Sequence, residues 1–296
     1  MRIWICVAVC AFARLSASDY CFIDRAYNWH VDGEYRIVGE QEFKNHGKTA
    51  HSHVHYADAA ASLYFTHTLT ENNDLSWQLG YQYMKFDWDK NPRFRDDDFN
   101  YGIFSVALIS TSAEQWRWVV NPGVAFDLET FNFGQSAVGY LLLWGRYQQS
   151  DILGLHIGFF GFYGAKNGYM MPVLGFDWEM SDRWSLHAIF PLDFSLNYAF
   201  NDTFSAALAY TGFGRPYRFP WRAHGGKGRF HDPIVEVFAS GLELDLNMEM
   251  GCFTAGIGAG WNFGGWILIK DHDNHHGNYY DFKGAPYAQV NAGFTF

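Results

Sequence analysis

The chain has 296 residues, of which 20% are aromatic and only 18% charged, with 30 glycines and a formal net charge of −10. That acidic balance excludes nucleic acid as a partner, and the absence of any run of 18 apolar residues excludes a helical membrane span. The length admits one large domain or two small ones.

The chain begins MRIWICVAVCAFARLSAS. Arg2 is a short basic start, Ile3 to Ala13 is an apolar stretch of export-signal length, and Ser16-Ala17-Ser18 offers small residues for cleavage. Residues 1–18 therefore read as a signal peptide, with Ala11-Phe12-Ala13 as a second candidate cut. Cys10 follows Val9, a poor lipoprotein box. Cys6 and Cys10 leave with the signal. Cys21 and Cys252 remain in an oxidising compartment, either as one disulfide or as two buried thiols. Residues 19–28 form a short segment before the first strand near Trp29, too short for a folded plug.

The link after that strand, roughly 43–52, carries His46 and His51, and His53 and His55 follow it. His53 and His55 are two residues apart and share a face if extended, a spacing that suits Zn²⁺, Cu²⁺ or Ni²⁺. Ser52 lies between two histidines but points to the opposite side, so no nucleophile–histidine pair is read there. No catalytic residue is assigned anywhere in the chain.

From here alternation of period two dominates. In LSWQLGYQY, Leu75, Trp77, Leu79, Tyr81 and Tyr83 oppose Ser76, Gln78, Gly80 and Gln82. WSLHAIF, GLELDLNMEM and CFTAGIGAGWNF repeat the pattern, the last with Gly256, Gly258 and Gly260 on its polar side. One apolar face and one polar or small face define each strand. Trp77, Trp116, Trp118 and Trp184 lie near strand ends, as in an aromatic belt at a bilayer surface. Short links (70–74, 111–114, 148–151, 181–183, 201–202, 247–250) alternate with longer ones (43–52, 88–99, 127–136, 164–170, 214–231, 270–284). Short turns on one side and long loops on the other mark a transmembrane β-barrel.

The expected fold is all-β, a transmembrane antiparallel up-and-down barrel over 29–296. It has about 14 strands if Phe190–Phe194 (FPLDF) is a tight loop, or about 12 if that stretch continues one strand; Pro191 favours the loop. The basic loop 214–231 would fold as a lid into an acidic lumen or bind lipopolysaccharide phosphates outside. KDHDNHHGNYYD, with His272, His275 and His276, precedes the last strand. Barrel closure pairs first strand with last, so this tract and His46 to His55 would flank one seam and converge on a metal.

The signal peptide, the alternating last strand and the terminal Phe296 together resemble a bacterial outer-membrane protein. Ala288, Val290, Ala292, Phe294 and Phe296 match the every-other-residue pattern of its assembly signal, in which Phe294 and Phe296 are the aromatic positions. The resemblance implies the outer membrane as location, periplasmic termini, recognition by barrel-assembly machinery, and surroundings of outer-membrane lipid and lipopolysaccharide. Met171–Tyr210 is similar to a family of uncharacterised outer-membrane barrels, on Pro172, Gly175, Trp178, Asp182, Trp184, Pro191, Tyr198 and Asp202. That family implies architecture and location but no activity.

Arg117, His156, Asp193, Glu243, Asp245, Gln289 and Asn291 are expected to line the pore, beside Asp58, Ser62, Gln78, Gln82, Asn121 and Asn197. Acids outnumber bases among them, which favours cations. The expected function is a porin-like channel or surface structural protein with an acidic polar lumen, without enzymatic activity and without a cofactor. The alternatives are a metal-binding surface receptor using His51, His53, His55, His272, His275 and His276, with Zn²⁺ or another divalent ion, and a barrel-embedded hydrolase.

Overall fold

A computed structural model describes residues 29–44, 52–89, 98–128, 137–164, 167–191, 193–213, 216–218, 234–270 and 277–296. Among them no helix is present. The strands are β1 (Trp29–Glu42), β2 (His53–Thr70), β3 (Asn73–Trp88), β4 (Asp98–Ser110), β5 (Trp116–Asp127), β6 (Val138–Ser150), β7 (Leu153–Gly164) and β8 (Asn167–Glu179). They continue as β9 (Trp184–Phe190), β10 (Asp193–Ala199), β11 (Phe204–Phe213), β12 (Pro216–Arg218), β13 (Ile234–Met250), β14 (Phe253–Lys270), β15 (Gly277–Phe282) and β16 (Ala285–Thr295).

Each strand pairs antiparallel with its neighbours, and β1 closes the ring on β16, with His30 opposite Thr295 and Val38 opposite Tyr287. Trp29 and Phe296 exchange backbone hydrogen bonds at the seam, 3.0 and 2.9 Å long. β11 and β12 run along one edge of β13, and β15 and β16 along one edge of β14. The sixteen segments are therefore 14 barrel strands, two of them interrupted. Phe190 and Asp193 end and begin separate strands, as the tight-loop reading required.

Three expected links are shorter than their composition implied. Pro216–Arg218 and Gly277–Phe282 are strands, inside the expected links 214–231 and 270–284. β13 runs on to Met250, leaving Gly251 and Cys252 as the turn. The cause lies outside each segment. β13 and β14 are 17 and 18 residues long, and their protruding edges supply backbone partners that local sequence does not reveal. Cys252 is a free thiol; Cys21 lies outside the described residues, as do residues 1–18 and 19–28.

Strand length varies round the ring. β9 and β10 have 7 residues each, whereas β2 has 18. A tilted membrane strand needs about 9–11 residues, so the strands near the seam extend beyond a bilayer on the long-loop side. β3 shows what happens there. Leu75, Trp77, Leu79, Tyr81 and Tyr83 face outward, while Asp74, Ser76, Gln78 and Gln82 are buried inward. Beyond Tyr83 both faces change character: Lys85 and Asp87 face outward, and Met84 and Phe86 are buried inward. β2 does the same, with His53 and His55 outward and Val54 and Tyr56 inward. Where lipid surrounds the strand, the outer face must be apolar. Where water surrounds it, the outer face is charged and the inner face forms an apolar core.

Three adjacent strands also change parity at this boundary. In β1 a bulge between Val38 and Gln41 turns Gln41 and Phe43 inward and Glu40 outward. In β14 an extra residue opposite Ala239 and Gly241 turns Ile267 and Ile269 inward, where Asn262 had been the last inward residue below. The bulge rests on Gly264, whose φ of +96° disfavours any side chain. Its own Asn262 side chain accepts the Gly264 N–H at 2.7 Å. Between them, the break at Lys283 and Gly284 shifts the inward set from Tyr280 and Phe282 to Ala285 and Tyr287. Bulges re-aim side chains in this way; here they align three strands with the same change of tier.

Candidate functional site

The inward wall has two tiers. The turn-side tier is polar, and its seam half holds a hydrogen-bonded chain of side chains with a second bonded pair beside it. Arg36 of β1 donates from Nε and Nη2 to Gln289 Oε1 at 3.2 and 2.9 Å, and from Nη1 to Asp58 Oδ1 at 3.4 Å. Gln289 in turn donates from Nε2 to Asp245 Oδ1 at 3.1 Å. Thr211 donates to Glu243 Oε1 at 2.8 Å.

This network crosses β14, whose inward positions below Asn262 include Gly256, Gly258 and Gly260. A Cβ at Gly258 would lie 2.2 Å from Asp245 Oδ1, and one at Gly256 would lie 2.5 Å from Asn247 Oδ1 and 2.8 Å from Asn291 Nδ2. The glycines give β14 a bare inner surface over which side chains of β13 and β16 meet. The sequence placed these glycines on the polar side of the strand; the structure fills the space beside them with neighbouring side chains.

A second polar cluster stands halfway round the ring. Arg146 of β6 holds Asp177 of β8 through two parallel hydrogen bonds of 3.0 and 2.6 Å. They pass over Gly154 of β7, where a Cβ would lie 2.7 Å from either carboxylate oxygen. His156 Nε2 bonds the same carboxylate. Trp144 donates from Nε1 to His156 Nδ1 at 2.9 Å, with the rings 7° from parallel and centroids 5.3 Å apart. That contact makes Nδ1 an acceptor, so the proton sits on Nε2 and points at Asp177. Both ring nitrogens are engaged, so the His156–Asp177 pair has no nitrogen left to serve a nucleophile.

Between the clusters lie uncharged polar groups. Gln78 accepts from Ser105 at 2.9 Å and donates to Tyr64 at 2.9 Å. Asn121 is fully buried, and neither of its side-chain amide atoms is bonded among the described residues.

Above this, on the long-loop side, the inner wall is apolar. Phe43, Tyr56, Phe86, Leu142, Phe160 and Ile267 are all within 2% of full burial and belong to one contiguous cluster. Sequence reasoning missed this tier. Its signal was present in the switch from Gln82 to Met84 and Phe86 on one face, together with Lys85 and Asp87 on the other.

Arg117, His156, Asp193, Glu243, Asp245, Gln289 and Asn291 all lie on the inward face, with His156, Glu243, Asp245 and Gln289 buried. They fall into separate groups: Glu243, Asp245, Gln289 and Asn291 near the seam, His156 in the opposite cluster, and Arg117 and Asp193 on β5 and β10. Arg36, Arg146 and Asp177, which tie those groups together, were not singled out in sequence. Among the metal candidates, His53 and His55 face outward. His51, His272, His275 and His276 lie outside the described residues. Ser52 is buried on the inner side, opposite to His53. Phe294 and Phe296 face outward at the turn-side rim, exposed and with ring centroids 5.7 Å apart.

A closed antiparallel ring of 14 strands, apolar outside over the height of a bilayer and polar within it, defines a transmembrane β-barrel. No family model matches the chain. It is similar to an uncharacterised protein of Chlamydia pneumoniae, 24% identical over 272 residues, covering 86% of this chain and 83% of the relative. An uncharacterised protein of Chlamydia trachomatis serovar D is 23% identical over 261 residues, covering 82% and 80%. Among solved structures, the COG4313 outer membrane channel from Pseudomonas putida F1 aligns with a TM-score of 0.47 at 9% identity, over 91% of this chain and 96% of that one. A Pseudomonas aeruginosa FadL homologue aligns at 0.37 and 9% identity, over 93% and 91%.

Proposed function

We propose that the chain is a porin-like channel of a bacterial outer membrane, without enzymatic activity and with both termini on the periplasmic side. Its passage is polar and acid-rich through the turn-side tier and closed at rest by the apolar tier on the long-loop side. The observation behind this reading is the change of the inner wall from Asp74, Ser76, Gln78 and Gln82 to Met84 and Phe86 along one strand. Apolar constrictions gate pores by excluding water. Below the gate, Glu34, Asp58, Asp177, Glu243 and Asp245 outnumber Arg36, Arg117 and Arg146 on the inward face, which favours cations. The engagement of both His156 ring nitrogens, and the separation of Ser52 from His53, leave neither histidine beside a nucleophile.

The test is planar-bilayer conductance of the purified protein. The wild type should open rarely and prefer cations. Phe86→Ser combined with Phe160→Ser should raise the open probability while the barrel keeps its heat-modifiable migration in gels. Absence of current from both proteins, each folded by that criterion, would overturn the reading.

A further inference from the structure

One side-chain cluster stands outside the lumen, on the outward face beyond the apolar band. Three adjacent strands contribute one group each: Glu40 from the β1 bulge, His53 from the start of β2, and Asp89 directly after β3. His53 Nδ1 lies 3.0 Å from Asp89 Oδ2 and 3.4 Å from Glu40 Oε1. The three donor atoms are within 4.8 Å of one another.

We propose that Glu40, His53 and Asp89 bind a divalent transition-metal ion of the Zn²⁺ type at the long-loop end of the barrel. Tetrahedral bonds of about 2.0–2.1 Å set neighbouring ligand atoms about 3.3 Å apart, and the two separations at His53 bracket that figure. The arrangement is held from the backbone. Asp89 N–H donates to His53 O at 3.2 Å, and His53 N–H donates to Asp89 Oδ2 at 3.3 Å. Glu42, directly opposite His53 in register, is taken by Lys283. The bulge supplies Glu40 in its place, which gives the extra residue in β1 a chemical consequence as well as a geometric one.

Charge and ligand type agree. Two carboxylates facing one imidazole nitrogen are balanced by a dication, whereas a proton on Nδ1 leaves net negative charge. A nitrogen ligand with two oxygens suits Zn²⁺ or Mn²⁺ better than Ca²⁺ or Mg²⁺. Three protein ligands on an exposed face leave a fourth position for water. This set differs from the histidine-rich set expected in sequence: it uses His53, omits His55, whose Nε2 lies 3.3 Å from Asp87, and needs nothing from His272, His275 or His276.

The experiment is calorimetric titration of Zn²⁺ into the full chain refolded in detergent, with the optical spectrum of bound Co²⁺ as a second readout. One Zn²⁺ per chain is expected. His53→Ala, Glu40→Gln and Asp89→Asn should each weaken binding at least about 10–100-fold, the loss seen even for outer partners of metal ligands, and should abolish the Co²⁺ bands. Glu42→Gln and the triple variant His272→Ala, His275→Ala, His276→Ala should bind as wild type. Heat-modifiable migration confirms that every variant is folded. No binding by the wild type, unchanged affinity in the three ligand variants, or loss in the triple variant alone would overturn the site.

Discussion

Gln289 donates a hydrogen bond to Asp245 from two strands away, 3.1 Å between Nε2 and Oδ1. The contact is made over the intervening strand, which has no side chain at the level of the bond. Neighbouring strands are about 4.8 Å apart, so a short side chain reaches a partner two strands off most readily across a glycine. Gly258 supplies that gap here and Gly154 supplies it for Arg146 and Asp177. The same device appears on both sides of the ring, and each time it carries a charged group.

This makes Gly258 more sensitive than its place in a glycine-rich strand implies. A Cβ there would lie 2.2 Å from Asp245 Oδ1 and 2.9 Å from the Gln289 side chain. Gly258→Val should destabilise the barrel by about 1–3 kcal/mol through overpacking, with further loss from the broken hydrogen bond. Gly251, in a turn and with nothing near its Cβ position, is the contrasting site for crowding, although its φ of +61° adds a backbone cost of its own. Urea unfolding of the refolded proteins, followed by tryptophan fluorescence, checks the comparison. Equal midpoints for Gly258→Val and wild type would contradict it.

Removing one partner of the opposite cluster should cost more than removing both. Arg146→Ala leaves the Asp177 carboxylate beside His156 without its two guanidinium bonds. The expected loss is about 3 kcal/mol, the low end for a buried pair, because Arg146 retains 30% exposure. Adding Asp177→Ala should recover part of that loss, since no uncompensated charge remains. A double-mutant cycle on the same unfolding assay measures the coupling, and strict additivity of the two substitutions would refute the pairing.

The sequence made the barrel legible because lipid imposes alternation on each strand separately. Leu75, Trp77 and Leu79 oppose Ser76 and Gln78 whatever the neighbouring strands do. The same alternation separates inward from outward positions within a strand. The site was less legible because its contacts depend on strands that the sequence does not order in height. Arg36 meets Gln289 at a separation of 253 residues, and only register brings them level. Bulges hid the rest. A single extra residue in β1 reverses which of Glu40 and Gln41 faces inward, and no local signal distinguishes Gly39-Glu40 from its flanks. The interrupted strands failed for a third reason: Gly277–Phe282 is extended because β14 protrudes beside it.

The change of tier places one edge of the lipid-facing band between Tyr83 and Lys85 on β3. Leu79 is 58% exposed on the outward face and lies within the band, so Leu79→Arg should cost about 2–4 kcal/mol in vesicles if it sits near the midplane. Asp87→Arg, four positions above the band's last aromatic residue Tyr83, should cost less than about 1 kcal/mol. Refolding into vesicles of defined thickness and measuring the unfolding free energy tests both. A similar cost for the two substitutions would mean that the band extends past the charged residues, and the two-tier description would fail.

The proposed orientation can be read from cysteine accessibility. Cys252 is a free thiol at the β13–β14 turn, on the same end as the paired Trp29 and Phe296. Asp87, on the outward face of β3, lies at the other end. In a Cys21→Ser background, a maleimide carried on a polymer too large to cross the outer membrane should leave Cys252 unmodified on intact cells and modify it after permeabilisation. Adding Asp87→Cys should give labelling without permeabilisation. The pair of sites makes the outcome independent of absolute reactivity, because each serves as the control for the other. The reverse pattern, with Cys252 reacting on intact cells and Asp87→Cys protected, would invert the barrel and place the metal site, the apolar tier and the long loops on the periplasmic side.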